Sequence, residues 1–311
     1  MQKQIWTINK LLAWAIDYFK TREISEPRLS AELLLSAVLD LSRMDLYLKY
    51  DLELKDDQLK KYKEFILRRL NHEPIQYITG TAYFRKIKLD VDKSVLIPRP
   101  ETELLVERAK KAILHLAESK KSVINILEIG TGSGAIALSL LFETDYNEDK
   151  TFPIDVIATD ISGDALKTAL KNAKKILNTQ KNNHLELFEC DVLPQDNEKF
   201  FKKYLKNIDM VISNPPYISE KDYLSLDRQI KDFEPETALN AGVSGTEKYS
   251  QILKKIKPFL NPEASYIILE TDPLTSLQLL DIMKAEFKDG DISIEKDYNG
   301  RDRILTAYIS D

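Results

Sequence analysis

The sequence predicts an α/β fold built on an open, mostly parallel sheet. Three observations carry that expectation. From Val123 onward, short apolar runs alternate with stretches of helical periodicity, as a sheet with crossover helices requires. The first run, Ile124 to Ile129, passes directly into Gly130-Thr131-Gly132-Ser133-Gly134 and then into a helix. The fourth, Ile208 to Ile212, ends at Ser213-Asn214-Pro215-Pro216-Tyr217-Ile218, where two prolines stop the strand because neither can donate to a ladder.

Composition bounds the rest. A chain of 311 residues suits one large domain or two unequal ones. Hydrophobic residues at 43% and charged residues at 31% fit a soluble protein with a sizeable core. A net charge of -5 and a pI near 5.5 argue against a broad basic surface, and so against tight binding to bulk nucleic acid. Cys190 is the single cysteine, which excludes an internal disulfide and fits a reducing compartment. No apolar run reaches membrane-spanning length. Asp17 and Glu23 stand among the amino-terminal lysines, with no small-residue cleavage site, so this stretch reads as a helix of the folded protein. A cytoplasmic monomer without membrane contact or bound metal is the resulting expectation.

Residues 1 to about 72 read as helical. Ile8, Leu11, Leu12, Ala15, Ile16 and Phe19 recur at helical spacing. Ser25 and Pro27 predict an N-cap and an early-turn proline for a second helix, with Leu29, Leu33, Leu34, Ala37, Val38 and Leu41 on its apolar face. A third is marked by Leu59, Tyr62, Phe65, Ile66 and Leu70, entered through Asp56-Asp57 and stopped by Pro74. Together these make a small helical domain over 1–73. Residues 74–97 read as a β-hairpin connector, from Gln76–Gly80 and Tyr83–Val91. The α/β domain occupies 98–311. Pro98 and Pro100 force an extended path around Arg99, and Glu101-Thr102-Glu103 open a helix where its dipole favours acids. Further strands are expected at Ile154–Thr159, Leu185–Phe188 and Ser265–Glu270, and near 292–295 and 304–309. Helices are expected at 135–141, 164–177 and 246–260. The polar stretch from Ser219 to about Gly245 is too long for a bare connector and reads as a lid.

The chemistry-bearing positions fall at strand ends, where open α/β sheets bind ligands. Glycines at 130, 132 and 134 let the backbone turn tightly and approach a ligand, and the following helix offers unpaired N–H groups. Asp160 ends the second strand, followed by Ile161. A carboxylate there can take both hydroxyls of a ribose, whether of a nicotinamide dinucleotide or of S-adenosylmethionine. Asp191 and Val192 end the third strand, where the acid can take an exocyclic amine and the valine can press on a base. Asn214 offers an amide acceptor and donor, Pro215 a carbonyl, and Tyr217 a flat face with a polar tip. That set grips a planar group bearing NH2. Hydride transfer needs an acid/base partner that the fourth strand does not supply, and His72, His115 and His184 sit on helical or surface stretches. Methyl transfer from S-adenosylmethionine needs only an acceptor nitrogen held in line, so the corner at Asn214 favours it.

The chain resembles the HemK-type release-factor glutamine methyltransferases over nearly its whole length. The marks are Leu29 to Leu35, Pro74 to Gly80, Ile97-Pro98-Arg99-Pro100-Glu101-Thr102-Glu103, Glu128 to Ala137, Asn214 to Ile218, Glu234-Pro235 and Asn299 to Arg303. Asn-Pro-Pro-Tyr by itself is shared with adenine-N6 DNA methyltransferases, while the Pro-Arg-Pro-Glu-Thr-Glu segment is specific and separates the chain from ribosomal-protein glutamine methyltransferases. Those two activities are the alternatives. The resemblance implies a Rossmann-like class I methyltransferase with a seven-stranded sheet and an antiparallel last strand. It implies S-adenosylmethionine at Gly130, Thr131, Gly132, Ser133, Gly134, Asp160, Ile161, Asp191, Val192 and Asn214, leaving as S-adenosylhomocysteine. The acceptor is the glutamine amide of the Gly-Gly-Gln motif of class 1 peptide chain release factors, held by Asn214, Pro215, Pro216 and Tyr217 with Arg99 and Glu101, of which Asn214, Pro215 and Tyr217 act in catalysis. The helical domain is expected to recognise the release factor. Two stretches depart from the family pattern: Glu270-Thr271-Asp272, and Asn240 to Gly245. Neither is expected to touch the reacting groups.

Overall fold

The computed structural model describes residues 5–119, 123–145, 153–177, 184–194 and 197–310, so the first four residues of the helical reading lie outside it. The chain forms two compact units, Met1–Thr81 with Asp227–Phe233, and Ala82–Leu226 with Glu234–Asp311. The first unit therefore runs past the expected boundary at 73 and takes in a segment expected to belong to the lid.

In the first unit, helices Ile8–Lys20, Pro27–Leu39 and Asp56–Leu70 form as their periodicity requires. Ile8, Leu11, Leu12, Ala15 and Phe19 pack with Leu34, Leu35, Tyr62 and Ile66 in one core. The residue capping the second helix is Glu26, at φ +48°, and not Ser25; Pro27 occupies the first turn. A short helix, Arg43–Leu48, is closed by a capping box between Ser42 and Asp45. Ile75–Thr79 is also a helix, where the sequence reading had a connector strand. Pro74 sets its entry, Gly80 at φ +71° ends it, and burial of Tyr77 and Ile78 outweighs the β-like composition. Arg69 is buried and donates to Ser25 Oγ at 3.2 Å, the Glu73 carbonyl at 3.2 Å and Gln229 Oε1 at 2.6 Å. Gln229 belongs to the helix Arg228–Lys231, so the middle of the expected lid is part of this unit.

The second unit begins with the hairpin β1 (Thr81–Phe84) and β2 (Ile87–Asp90), followed by the helix Thr102–Ser119. The sheet then builds from β3 (Ile124–Ile129), β4 (Ile154–Asp160), β5 (His184–Glu189), β6 (Met210–Ser213), β7 (Ser265–Glu270), β8 (Asp291–Lys296) and β9 (Asp302–Ile309). Its order is β5-β4-β3-β6-β7-β9-β8, seven strands, with β9 antiparallel to both neighbours. Every residue of β3, β6 and β7 is buried, as in a sheet covered on both faces. Helices Ala135–Asp145, Gly163–Ile176, Glu247–Ile256 and Ser276–Glu286 accompany it. A further helix, Glu198–Tyr204, for which the sequence set no expectation, lies between β5 and β6; Phe200 and Tyr204 anchor it in the core.

Candidate functional site

Sheet register assembles the site. Ile129 of β3 pairs with Thr159 of β4 and with Ser213 of β6, Asp160 pairs with Glu189 of β5, and Ser213 pairs with Leu269 of β7. The residues that follow, Gly130, Ile161, Cys190, Asn214 and Glu270, are thereby lined up along one edge. A cavity of about 280 Å³ opens there.

The Gly-rich turn forms one wall. Gly130 adopts φ +73° and Gly132 φ +54°. A Cβ at either would meet nothing within 4 Å, so the left-handed backbone and not crowding requires glycine, and the space facing both is open. The Gly130 N–H donates to the Thr159 carbonyl at 2.8 Å, and the Gly132 N–H to Asp160 Oδ2 at 2.8 Å. Asp160 Oδ1 accepts the Ser162 N–H at 2.9 Å. Burial still raises the Asp160 carboxyl above its ordinary value against those N–H groups. Behind the turn lies Glu128, fully buried. Its Oε2 accepts the Thr131 hydroxyl at 2.8 Å, and its Oε1 has no hydrogen-bond partner among the described residues. Burial pushes Glu128 up to about 8, and the nearby Asp160 adds to the shift. Open backbone at Gly130 and Gly132 and the Asp160 carboxylate at the next strand end suit a nucleoside whose ribose hydroxyls can donate. S-adenosylmethionine has that chemistry.

Asp191 is already engaged. Lys248 Nζ donates to its Oδ1 at 3.2 Å, Gln251 to its Oδ2, and Lys255 Nζ to its backbone carbonyl at 3.2 Å. A carboxylate has room for further donors, so these contacts aim it and do not exhaust it. Val192 adopts φ +76°, rare for a β-branched residue, with the Leu193 N–H donating to the Asp191 carbonyl at 3.1 Å across it. In that conformation Val192 lines the cavity.

At the Asn214 corner, the Ser213 hydroxyl donates to the Ile129 carbonyl at 2.7 Å and ties β6 to β3. Asn214 Nδ2 donates to Thr102 Oγ1 at 3.1 Å, so the amide oxygen Oδ1 is the end that this bond leaves unused. The Ile218 N–H donates to the Leu239 carbonyl at 3.1 Å, and the Ala241 N–H returns to Ile218 at 2.9 Å. This pins the segment carrying Pro235, Thr237, Ala238 and Asn240, which also lines the cavity. Arg99 Nη2 donates to both oxygens of the buried Glu234 at 2.7 and 2.8 Å.

Of the residues singled out in the sequence, Gly130, Thr131, Gly132, Ser133, Asp160, Ile161, Asp191, Val192, Asn214, Pro215, Pro216 and Arg99 line the cavity. Gly134, Tyr217 and Glu101 stand outside the lining. Gly134 sits at φ +83°, and a Cβ there would come within 2.9 Å of Leu138 Cδ1, so it serves the packing of the turn on its helix. The Tyr217 ring packs on the sheet core, and burial raises its hydroxyl. None of the three histidines lines the cavity; His115 Nδ1 meets the Tyr266 hydroxyl at 2.9 Å elsewhere. Sequence reasoning assigned no role to Glu128, Thr102, Lys248 and Glu270. An acid within or at the end of an apolar run was the available signal for Glu128 and Glu270, and Thr102 lay inside the Pro-Arg-Pro-Glu-Thr-Glu mark; Lys248 carried no signal. Glu270 follows Leu269, the register partner of Ser213, and so ends the strand beside Asn214, but it does not line the cavity.

Residues 10–80 match the family described as the PrmC N-terminal domain. A release factor glutamine methyltransferase of Chlorobaculum tepidum is 33% identical over 306 residues, covering 98% of each chain. The protein of that name from Bacillus subtilis is 31% identical over 97% of this chain and 98% of its own. The one from Lactococcus lactis subsp. lactis is 37% identical over 82% of this chain and 84% of its own.

Proposed function

The chain belongs to the release factor glutamine methyltransferases, and from that premise we propose how its residues methylate the side-chain amide of the glutamine in the Gly-Gly-Gln motif of class 1 release factors. The observation that carries the reading is the orientation of Asn214. With its NH2 committed to Thr102, its Oδ1 and the Pro215 carbonyl are two acceptors for the two N–H bonds of a glutamine amide. An amide nitrogen is a poor nucleophile because its lone pair is delocalised into the carbonyl. Two acceptors on its hydrogens fix its direction and favour the positive charge that grows on nitrogen as its bond to carbon forms. The proton then passes to solvent.

The cofactor reading rests on the Gly130–Ser133 wall. Asp160 is suited to the ribose hydroxyls, Asp191 and Val192 to the adenine edge and face, and the backbone of Gly130 and Gly132 to the part of the ligand that lies closest. When bound, S-adenosylmethionine supplies a methyl group already activated by its sulfonium and leaves as S-adenosylhomocysteine. Arg99, through Glu234, steadies the segment from Pro235 to Asn240 over the acceptor side, and Pro216 and Tyr217 keep the corner rigid. The helical unit provides the contact with the release factor. We also place the reaction in the cytoplasm, with the chain acting as a monomer. Among the described residues, no helix is long and apolar enough to cross a membrane.

The test is transfer of labelled methyl from S-adenosylmethionine to a release factor and to the same factor with Gln→Ala in its Gly-Gly-Gln motif. Label on the first and none on the second is expected; equal labelling would overturn the assignment of the acceptor. Label on duplex DNA or on a ribosomal protein in its place would favour one of the two alternative acceptors.

A further inference from the structure

We propose that Lys248 and Gln251 form with Asp191 a closed hydrogen-bonded triad that holds the Asp191 carboxylate as an acceptor-only group, and so select a purine that bears an exocyclic amine. The inference rests on the cofactor reading proposed above and adds two specificity-determining residues to it. Lys248 Nζ donates to Asp191 Oδ1 at 3.2 Å and to Gln251 Oε1 at 3.3 Å, and Gln251 Nε2 donates to Asp191 Oδ2. Each side chain is thus bonded to the other two.

The helix Glu247–Ile256 delivers both donors. Residues 248, 251 and 255 fall at helical spacing on one face. Tyr249, Ile252, Leu253 and Ile256 are buried in the sheet core, which fixes the helix in place. Lys255 adds a third tie, its Nζ reaching the Asp191 backbone carbonyl at 3.2 Å. On the strand side, the Cys190 N–H donates to the Asp160 carbonyl at 2.9 Å and the Thr159 hydroxyl to the Val192 carbonyl at 3.1 Å. The turn that carries Asp191 is therefore held at its backbone as well as at its side chain. Asp191, Val192, Lys248 and Ile252 line the cavity, whereas Gln251 lies outside the lining.

The logic is one of donor count. An ionised carboxylate only accepts, at about four positions on its two oxygens. Lys248 and Gln251 take one position each, on different oxygens, and leave room on both. The Gln251 amide has one workable orientation, since inverting it would set its oxygen against the carboxylate and its NH2 against the ammonium. Burial pushes the Asp191 carboxyl up, but the bonds from Gln251 and Lys248 and the charges of Lys248 and Lys255 outweigh it and hold the group below its ordinary value. Asp191 therefore carries no proton to donate. A 6-amino purine offers this carboxylate an N–H. A 6-oxo purine sets a carbonyl oxygen against it, two acceptors with no proton between them. Without Gln251 or Lys248 the carboxylate is free to turn away, and its preference for the amine weakens.

The experiment measures calorimetric binding of S-adenosylhomocysteine and of S-inosylhomocysteine, in which a carbonyl replaces the amine, to the full chain, together with melting temperature. The variants are Lys248→Met, Gln251→Leu and, as a control, Lys254→Met, which removes the same charge from an exposed position of that helix. Wild type should favour the adenosyl ligand about 100-fold, the scale of a lost bond to a charged group. Lys248→Met and Gln251→Leu should each narrow the preference to about tenfold or less at a melting temperature close to wild type, and Lys254→Met should keep it. A wild-type preference in Lys248→Met or in Gln251→Leu overturns the role of that residue. An equal narrowing in Lys254→Met assigns the effect to net charge and overturns the triad. Equal affinity of wild type for the two ligands overturns Asp191 as the acceptor of the amine, and no affinity for either overturns the cofactor reading itself.

Discussion

The backbone N–H of Gly132 donates to Asp160 Oδ2 at 2.8 Å, so the Gly-rich turn after β3 and the acid that ends β4 form one hydrogen-bonded unit. Asp160 therefore braces the turn while lining the cavity in which the proposed cofactor would lie. Asp160→Ala leaves the Gly132 and Ser162 N–H groups without their acceptor and should cost about 1–3 kcal/mol of stability. It should also weaken S-adenosylmethionine binding about tenfold or more, because a charge-assisted bond is lost. Asp160→Asn keeps one carbonyl acceptor and should fall between. Thermal melts and calorimetry read the two effects separately; weaker binding at an unchanged melting temperature would show that Asp160 does not brace the turn.

Asn214→Ala should act on turnover far more than on cofactor affinity. The loss should be roughly 3 kcal/mol of transition-state stabilisation, on the order of a hundredfold in kcat, by analogy with removal of an oxyanion-hole donor. Steady-state kinetics beside calorimetry decides it: lost cofactor binding with kcat preserved would move Asn214 to the cofactor side.

Stability should fall as pH rises through the range set by Glu128. Its carboxyl is raised from 4.5 to about 8 by burial. The native state then holds a proton that the unfolded chain releases, so the stabilisation is complete below the unfolded value and is lost as pH climbs through about 8. Glu270, raised to about 7, contributes with the same sign. The combined change should be a few kcal/mol between about pH 5 and about pH 9. Urea denaturation measures it. Glu128→Gln should remove much of the slope, and an unchanged slope in that variant would show that Glu128 ionises freely.

Arg99→Ala strands the Glu234 carboxylate, whose side chain is 2% exposed. Removing one partner of such a pair costs about 3–5 kcal/mol when both are deeply buried, and Arg99 at 30% exposure puts the expected loss near the lower end. Replacing both, as Arg99→Met with Glu234→Leu, should return much of the stability. Neither variant should regain the wild-type KM for the release factor, since the segment from Pro235 to Asn240 loses its tether. A wild-type KM in both would sever the pair from substrate binding.

Much of the fold was legible because its signals are local. Pro215-Pro216 ends a strand wherever it stands, glycine at positive φ turns a chain, and apolar periodicity separates helix from strand. The strands of the seven-stranded sheet and the cavity wall at Gly130–Ser133 follow from such signals. The helix Ile75–Thr79 did not, because its sequence suits a strand and burial of Tyr77 and Ile78 tipped the balance. The stretch from Ser219 to Gly245 read as a single lid, since nothing local says that Gln229 will be taken by Arg69, 160 residues away.

By itself, then, the sequence determined the elements, the strand-end motifs and, through resemblance, the family. The tertiary structure alone decided the partnerships. Asn214 finds Thr102 across 112 residues and Arg99 finds Glu234 across 135, because parallel register and crossover helices bring distant chain segments to one sheet edge. Hydrogen-bond direction at Asn214 and the raised carboxyls of Glu128 and Glu270 depend on which groups share a dry interior. That is a property of packing, which spacing along the chain does not encode.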